Sequence, residues 1–444
     1  MAALKNTPEE KKGFPFATYF KYYNEFLDTK IGKTLNLRKF SERFVYLGAK
    51  NGAKAATTFS KAFKTSEKGN AVRLNAPSKN DLFDLNYDEE QMMVRETIQQ
   101  FATKMRLAAE KIDETGLIPE GLSKEFQELQ LGYLQVPESL GGMMKEQSTV
   151  TQMMIVETLA HGDLGQALAL YSSHSVLNAL VKWGSEAQQQ ELIPAFLAEQ
   201  PIYASIAVNE PFPLFSPFEL NTQAVRSGQD FLINGKKNIV PLGSSASFFL
   251  IAAKTADLGI QLFILDKNAE GITIESDRSM GLNAAGLSTL HLKNVRVDKS
   301  AQLGGDEGID YNNFINYSKL GWCALAVGCG QAVLDYVIPY ANERYAFGEP
   351  ISHRQAVAFM IADIKIELDG MRLLTQRAAA RAEQGLDFQK EVYLAHIFCS
   401  EKSMQIGSNG VQLLGGHGYV RDFPVERWYR DLRAVAIAIN GIHL

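Results

Sequence analysis

The apolar positions of this chain change their period twice. After Asp88 they fall at roughly helical spacing, at Met93, Ile98, Phe101, Met105 and Ala108. Asp88 followed by Gln91 has the form of a capping box, so a helix is predicted to start there. Helical patterning runs to about residue 199, with Ser185 and Gln188 as a second cap pair in "GSEAQQQELIPAFLAEQ". At residue 202 the texture changes. "IYASIAVNE", "DFLINGKKNIV", "ASFFLIAAKT", "IQLFILDK", "GITIES" and "STLHLKNVRVD" are short, β-branched or aromatic, and separated by Gly, Asp or Asn. These are strand signals, and together they predict a compact β domain. From residue 306 long helical segments return, at 311–345, 353–384, 388–409 and 424–438, and their short connections predict an antiparallel bundle. The expected organisation is an extension over 1–85, a helical domain over 86–201, a β domain over 202–305 and a helical bundle over 306–444. "NAPSKNDLFDLNYDEE" reads as the linker after the extension.

At 444 residues, 46% hydrophobic and 21% charged, the composition is that of an ordinary soluble globular protein. No run of about 18 or more uncharged apolar residues is present, so no membrane-spanning helix is expected. Cys323, Cys329 and Cys399 cannot build a disulfide framework; they predict core packing and a cytoplasmic or other reducing compartment. The amino-terminal "MAALKNTPEEKKGF" lacks the apolar stretch of a secretory signal. The net charge of −5 hides an asymmetry. Residues 1–80 carry 16 Lys and Arg against 6 Asp and Glu, whereas the rest carries 29 against 44. This basic arm is also aromatic, as in "FPFATYFKYYNEF". It is expected either to pack on the acidic body or at a subunit contact, or to contact an anionic membrane surface or partner peripherally. No nucleic-acid-reading module is visible, so nucleic acid is not an expected partner.

Chemistry-bearing motifs of the commoner kinds are missing. There is no phosphate-binding G-x-x-x-x-G-K-[ST] loop, no G-x-G-x-x-G between strand and helix, no G-x-S-x-G elbow and no Cys/His cluster with metal-ligand spacing. "GCGQAV" lies inside a helical pattern and predicts close helix packing, not a nucleotide loop.

Two stretches are more specific. "ERYAFGEPISHRQAVAFMIADIKIELDGMRLL" matches an R-x-x-F-G-x-P-I-x-x-x-Q pattern, and "NGVQLLGGHGYVRDFPVERWYRDLR" matches a Q-x-x-G-G-x-G-Y…R-D pattern. With "KWGSEAQQQELIPAFLAEQPIYASIAVNEP" and "MGLNAAGLSTLHLKNVRVDKSAQLGG", they give residues 86–440 a resemblance to the acyl-CoA dehydrogenase family of flavoproteins. The resemblance implies an N-terminal helical domain, a β-barrel-like middle domain, a C-terminal four-helix bundle and FAD as cofactor. Arg344 would pair with the FAD diphosphate of a neighbouring subunit, a task suited to a guanidinium fork. Phe347 would pack beside the flavin, Gln355 and Gln412 would face the same site, and Gly415 and Gly416 would let backbone approach the ADP moiety. Read without the family, Arg344 would be a surface salt bridge to Glu343 or Glu349. His417 stands at a variable family position and reads as turn filler. The resemblance further implies an acyl-CoA thioester substrate, a homodimer or dimer of dimers, and an electron-transfer flavoprotein as acceptor.

The reaction it implies removes an α proton and delivers the β hydride to flavin N5, which needs a poised carboxylate base. Here the chain departs from the family. Aligned on Arg430 and Asp431, the base position falls on Ile439, or on Asn440 with a shift of one residue, and neither side chain can act as the base. No acid follows Asp431. A second family location for the base falls on Ser318 and Lys319, and Asp310 nearby reads as a helix start. Asn209 replaces a flavin-contacting Thr, Ile239 a stacking Trp, and Pro241 a Thr that would donate to N5, although proline has no donor. Ser216 is the stand-in for a substrate-contacting serine within "FPLFSPFEL". The expected function is therefore FAD-dependent α,β-dehydrogenation of an acyl-CoA with the usual base missing. The alternative is a catalytically silent paralogue serving as a binding or scaffold subunit.

Overall fold

The computed structural model describes residues 83–444. The basic, aromatic arm over 1–80 lies outside the described residues.

Helices come first, as the apolar period predicts. Helix α1 spans Glu89–Thr115, and Asp88 and Gln91 close the expected capping box at its start. Its buried face is Ile98, Phe101, Ala102, Met105, Ala109 and Ile112. Met93 and Ala108 are not part of it. Met93 is exposed in the opening turns, and Ala109 takes the inward position because true helical spacing places it on the Met105 face. Then follow α2 (Glu120–Glu128), α3 (Thr149–Gly162), α4 (Leu164–Trp183) and α5 (Glu186–Phe196), the last opened by the Ser185–Gln188 box.

Seven strands form the middle sheet: β1 (Ala204–Ala207), β2 (Gln223–Ser227), β3 (Asp230–Val240), β4 (Phe248–Lys254), β5 (Ile260–Asp266), β6 (Ile272–Ser276) and β7 (Ser288–Asp298). Their order is β1-β4-β2-β3-β7-β6, with β5 beside β4. The β3–β7 ladder slips between Lys237 and Val240, and there Ile239 takes φ +54°. A β-branched residue in that region is strained, so other contacts must hold it. One is a hydrogen bond: the Ile239 N–H donates to Asp277 Oδ2 at 2.9 Å.

The second helical region has α6 (Tyr311–Glu343), a hairpin of β8 (Tyr345–Ala346) and β9 (Glu349–Pro350), α7 (Gln355–Glu383), α8 (Gln389–Leu414) and α9 (Val425–Leu432). The fourth helix stops at Leu432, short of the expected 438, and turns into a 3-10 stretch over Arg433–Ala436. Asp310 caps α6, accepting from Asn313 N at 3.0 Å, which bears out its reading as a helix start. Among the described residues α6 is the one helix long and apolar enough to cross a membrane, and 78% of its apolar window is buried inside the protein. It is the central rod of the main core, with Cys323 and Cys329 buried along it and Cys399 facing it from α8. Burial pushes the thiols of Cys323 and Cys329 well above their usual range, as expected of inert core residues.

The "GCGQAV" glycines do what their helical setting predicts. A Cβ at Gly328 would lie 2.1 Å from the Glu157 carbonyl oxygen of α3, and one at Gly330 would lie 3.1 Å from Leu368 Cδ1 of α7. Arg372 of α7 then ties both neighbours, donating to Glu157 at 2.9 Å and to Gln331 at 2.9 Å. Gly328→Ala should therefore push α3 from α6 and cost about 1–3 kcal/mol, seen as a lower urea midpoint with unchanged helical circular dichroism. An unshifted midpoint would mean that the crossing is looser than this.

Candidate functional site

The residues that the resemblance singles out fall into two groups. The first gathers where α6 ends. Arg344 caps the helix, and the hairpin that follows turns through Phe347 (φ +55°) and Gly348 (φ +87°). Two positive φ values in succession suit a tight two-residue hairpin, and they leave Phe347 96% exposed. The surface salt bridge that Arg344 alone would suggest does not form among the described residues: Glu349 pairs instead with Arg354 at 3.1 Å and His353 at 3.5 Å. Gln355 and Gln412 are exposed. Gly415 and Gly416 are exposed too, and an ideal Cβ on either would meet nothing within 4 Å. Tyr340, one turn before Arg344, links the two clusters. Its hydroxyl bonds His417 Nδ1 at 2.8 Å and lies 3.4 Å from the Leu414 carbonyl. His417 stacks on Phe423 at 4.6 Å, which makes it turn filler, as its position implies. Tyr340 itself carries no motif signal.

The second group lies at the end of β1, on the β3 bulge and in residues 437–444. It is held from below by a buried ion pair. Lys237 on β3 donates to Glu210 at 2.8 Å and to the Val208 carbonyl at 3.0 Å. Glu210 also accepts from Asn221 N at 2.7 Å and Thr222 N at 2.9 Å. Burial pulls Lys237 down to about 8. Burial opposes ionisation of Glu210 as well, but the Lys237 ammonium and the Thr222 hydrogen bonds outweigh it and hold the carboxyl below its usual range. This pair fixes the backbone of 208–210 and so aims Asn209.

Asn209 and Asn440 then clasp each other's backbone. Asn209 Oδ1 accepts from Ile439 N at 2.8 Å and Asn440 N at 3.2 Å, while its Nδ2 donates to the Ile437 carbonyl at 2.9 Å. Asn440 Oδ1 accepts from Val208 N at 2.5 Å and Asn209 N at 2.8 Å. Asn440 Nδ2 donates to the carbonyls of Asn238 at 2.6 Å and Ile239 at 3.1 Å. Every polar group of both amides is engaged, and both residues are buried. Ile239 is thus tied to the segment by its carbonyl. Pro241 packs on it as well: a Cβ at Gly441 (φ +75°) would lie 2.3 Å from Pro241 Cγ and 3.1 Å from Leu168 Cδ1. The three β-domain positions expected to face a flavin all contact this segment.

Beyond Gly441 the segment runs between α4 and α6. Ile442 lies against Gly321, whose ideal Cβ would meet Ile442 Cγ1 at 2.5 Å. The His443 N–H donates to Ser175 Oγ at 3.0 Å, and its carbonyl accepts from Asn178 Nδ2 at 2.9 Å. Its ring stacks on Phe314 at 4.8 Å and meets Trp183 edge-on at 5.0 Å and Tyr317 at 5.4 Å. Neither ring nitrogen has a partner. Burial, with the nearby Lys182 ammonium, therefore holds His443 neutral and well below its usual titration range. Ser175 and Asn178 were not legible as functional residues, since a Ser and an Asn in an apolar helix carry no spacing signal.

Ser216 stands apart. Its Oγ accepts from Phe218 N at 3.3 Å, within a loop whose Phe212 and Phe218 line a cavity of about 700 Å³ together with Lys254, Gln261 and Tyr311. Ser318, at the second base location, is buried with its hydroxyl unpartnered, and Lys319 lies 5.6 Å from the Phe218 ring centroid.

The charged stretch before the segment is an anchor. Arg430 grips Asp113 of α1 at 2.7 and 3.2 Å and Glu426 at 2.8 and 3.0 Å. Arg427 meets Asp163 at 3.2 Å, and Asp431 accepts from Leu282 N at 2.6 Å. Burial and the neighbouring Asp163 push Asp431 up to about 7.

Two expectations follow. Asn440→Asp keeps the shape but turns a donor that serves two carbonyls into a buried carboxylate oxygen, so it should cost about 3 kcal/mol and lower the urea midpoint. Acid should loosen the segment. A docked His443 stays neutral while a released one takes up a proton near its ordinary pKa of about 6.5, so docking is strongest above that pH and weakens as pH falls through it. His443→Phe should remove the effect, read as amide exchange of 438–444 at about pH 7.5 and pH 5.5 after correction for intrinsic rates.

The chain matches the family models for the acyl-CoA dehydrogenase N-terminal domain over residues 88–200, the middle domain over 205–295 and the C-terminal domain over 307–439. It is 30% identical over 364 residues to an acyl-CoA dehydrogenase of Bacillus subtilis, covering 80% of this chain and 95% of that protein. Its fold is similar to that of butyryl-CoA dehydrogenase from Megasphaera elsdenii, with a TM-score of 0.74, 25% identity, and 80% and 96% of the two chains covered. It is also similar to a chain from a study of the electron transferring flavoprotein of Acidaminococcus fermentans, with a TM-score of 0.73, 27% identity, and 80% and 96% covered. By sequence, by fold and by the motifs gathered at the end of α6, this chain belongs to the acyl-CoA dehydrogenase family, whose members are FAD-binding flavoenzymes.

Proposed function

We propose that this chain binds FAD and an acyl-CoA thioester, and that its reaction is α,β-dehydrogenation with hydride transfer to flavin N5. The observation that carries this is the cluster at the end of α6. Arg344 is without an ion pair among the described residues, Gly415 and Gly416 have open space over their backbone, and Tyr340, one turn before Arg344, bonds His417 of the same glycine turn. That end fits the diphosphate and adenosine of FAD. Arg344 and Gln355 would hold phosphate oxygens, and the glycine turn would admit the ADP moiety. When bound, the flavin supplies the hydride acceptor.

The ring end fits less well. Asn209 has its amide oxygen on Ile439 and Asn440 and its nitrogen on Ile437, Pro241 has no donor, and Asn440, one of the two positions on which the base falls, has its amide committed on both sides. The α proton therefore has no acceptor at Ile439 or Asn440. This clasp favours a second reading, a catalytically silent paralogue that binds acyl-CoA, FAD or a partner subunit.

Exposed Phe359, Ile366 and Leu373 on α7, with Tyr393, Leu394 and Ile397 on α8, supply apolar surface for a homodimer or dimer of dimers. Such an assembly would let Arg344 and the protruding Phe347 serve a neighbouring subunit. An electron-transfer flavoprotein as acceptor is suggested by the likeness to a caffeyl-CoA reductase–Etf complex subunit of Acetobacterium woodii.

The visible spectrum separates the readings. A dehydrogenase purifies yellow, or turns yellow with added FAD, and bleaches with acyl-CoA. Colour without bleaching under anaerobic conditions supports the silent reading. Folded protein that stays colourless with excess FAD removes the flavoenzyme proposal.

A further inference from the structure

The three β-domain positions assigned to the flavin ring are all in contact with residues 437–444, and none of those contacts is incidental. Asn209 turns both its amide oxygen and its amide nitrogen to the segment, at Ile439, Asn440 and Ile437. Ile239 keeps its strained φ of +54° between Asp277 and Asn440. Pro241 packs on a glycine that alone fits there, because any Cβ at Gly441 would meet the Pro241 ring at 2.3 Å. Further on, Ser175 and Asn178 bind the backbone of His443, and Trp183, Phe314 and Tyr317 enclose its ring. Backbone recognition by two Asn side chains and a Ser, answered by Asn440 of the segment on the backbone of its seat and followed by an aromatic nest, is how a protein binds an extended peptide ligand. Here the ligand belongs to the same chain.

The seat also contains the means of release. His443 is buried with both ring nitrogens unpartnered. Nitrogens without a protein partner in an aromatic nest gain hydrogen bonds to water on leaving, which lowers the cost of undocking. The anchor before the segment is separate from it, since Arg427, Arg430 and Asp431 hold their own partners on α1, at Asp163 and at Leu282. Release of residues 437–444 would therefore leave the ion pairs of α9 and the Asp431–Leu282 hydrogen bond intact.

We propose that residues 437–444 are a displaceable intramolecular ligand that shuts the flavin-ring half of the site, so that docking of this segment and seating of an isoalloxazine ring exclude each other. The inference rests on the proposed function and on the assignment of Asn209, Ile239 and Pro241 to the flavin face that the family resemblance implies. It adds that FAD affinity is set by how often the segment is out. An occluding state that dominates the population weakens apparent affinity by the fraction of time the site is open.

The test uses the full chain. Gly441→Val places a branched side chain where a Cβ already collides with Pro241, and at φ +75°, so it evicts the segment without touching the adenosine end. FAD binding is measured by flavin absorbance and fluorescence quenching for the wild type and the variant, with melting curves to show that both are folded. Amide exchange of residues 438–444 in the wild type is followed with no addition, with ADP and with FAD. This arm needs no substitution, so it stands even if the variant does not fold. The expected result is an FAD affinity in Gly441→Val about 10- to 100-fold tighter than wild type, and faster exchange of 438–444 with FAD but not with ADP. Equal affinities with exchange unchanged by FAD would overturn the occlusion and leave the flavin assignment standing. Exchange accelerated equally by ADP would overturn competition for the ring end. If neither folded protein binds FAD, the flavin assignment and the occlusion fall together.

Discussion

The reciprocal hold between Asn209 and Asn440 is the constraint around which the candidate site is arranged. Each carboxamide has one acceptor oxygen and one donor nitrogen: Asn209 uses both on the backbone of 437–440, and Asn440 uses its oxygen on Val208 and Asn209 and its nitrogen on Asn238 and Ile239 of β3. Both residues are buried, so water cannot replace a lost partner. A single backbone hydrogen bond adds only about 1 kcal/mol, but an orphaned buried amide costs about 1–3 kcal/mol. Losing one side therefore strands several groups together, and the clasp is either whole or open. That all-or-none character lets a short segment act as a unit.

The clasp depends in turn on Lys237 and Glu210. A buried ion pair is poor evidence for net stability, because the desolvation of both charges offsets most of their attraction. Its value here is directional. Lys237 binds the Val208 carbonyl and Glu210 together, and Glu210 binds the N–H groups of Asn221 and Thr222, so the end of β1 is held on three sides. With that backbone fixed, the N–H groups of Val208 and Asn209 point at Asn440. The bulge in β3 supplies the other wall by turning the carbonyls of Asn238 and Ile239 toward the same side chain.

Much of the frame was legible in the sequence because its signals are local. Both capping boxes, the Asp310 helix start, the packing glycines at 328 and 330 and the order helices–strands–helices follow from spacings of a few residues. The fourth helix ends before its apolar texture does, because apolar residues after Leu432 continue the helical pattern while serving a different structure. The site was legible only as a set of losses. Asn209, Ile239, Pro241, Ile439 and Asn440 each read as a missing functional group, and periodicity cannot reveal that two of them are partners more than two hundred residues apart. Their relation is a matter of tertiary hydrogen bonding, which no local pattern carries. Likewise Ser175, Asn178 and Tyr340 look like ordinary helical residues until the fold brings their partners to them.

Seen together, the substitutions are not independent decay. Loss of a base alone would leave a cavity or an unpaired donor at the base position, and buried polar groups do not tolerate that. Asn at 440 suits a position facing two N–H groups and two carbonyls, which a carboxylate does not. Asn at 209 suits a position facing two N–H groups and one carbonyl, which a threonine hydroxyl could satisfy only in part. Proline at 241 gives up a donor but presents a flat ring against Gly441, where a β-branched polar residue would need a partner of its own. Each replacement is poor for holding a flavin ring and good for holding this segment. The residues of the R-x-x-F-G and Q-x-x-G-G motifs have no contact of this kind with the segment: Arg344 is without an ion pair among the described residues, Gln355 and Gln412 are exposed, and Phe347 lies under Arg354. The replaced positions Asn209, Ile239 and Pro241 all lie against residues 437–444, whereas the Ser216 loop and Ser318 depart from the family's pattern away from it, so the segment accounts for the three replacements that share its hydrogen bonds and packing.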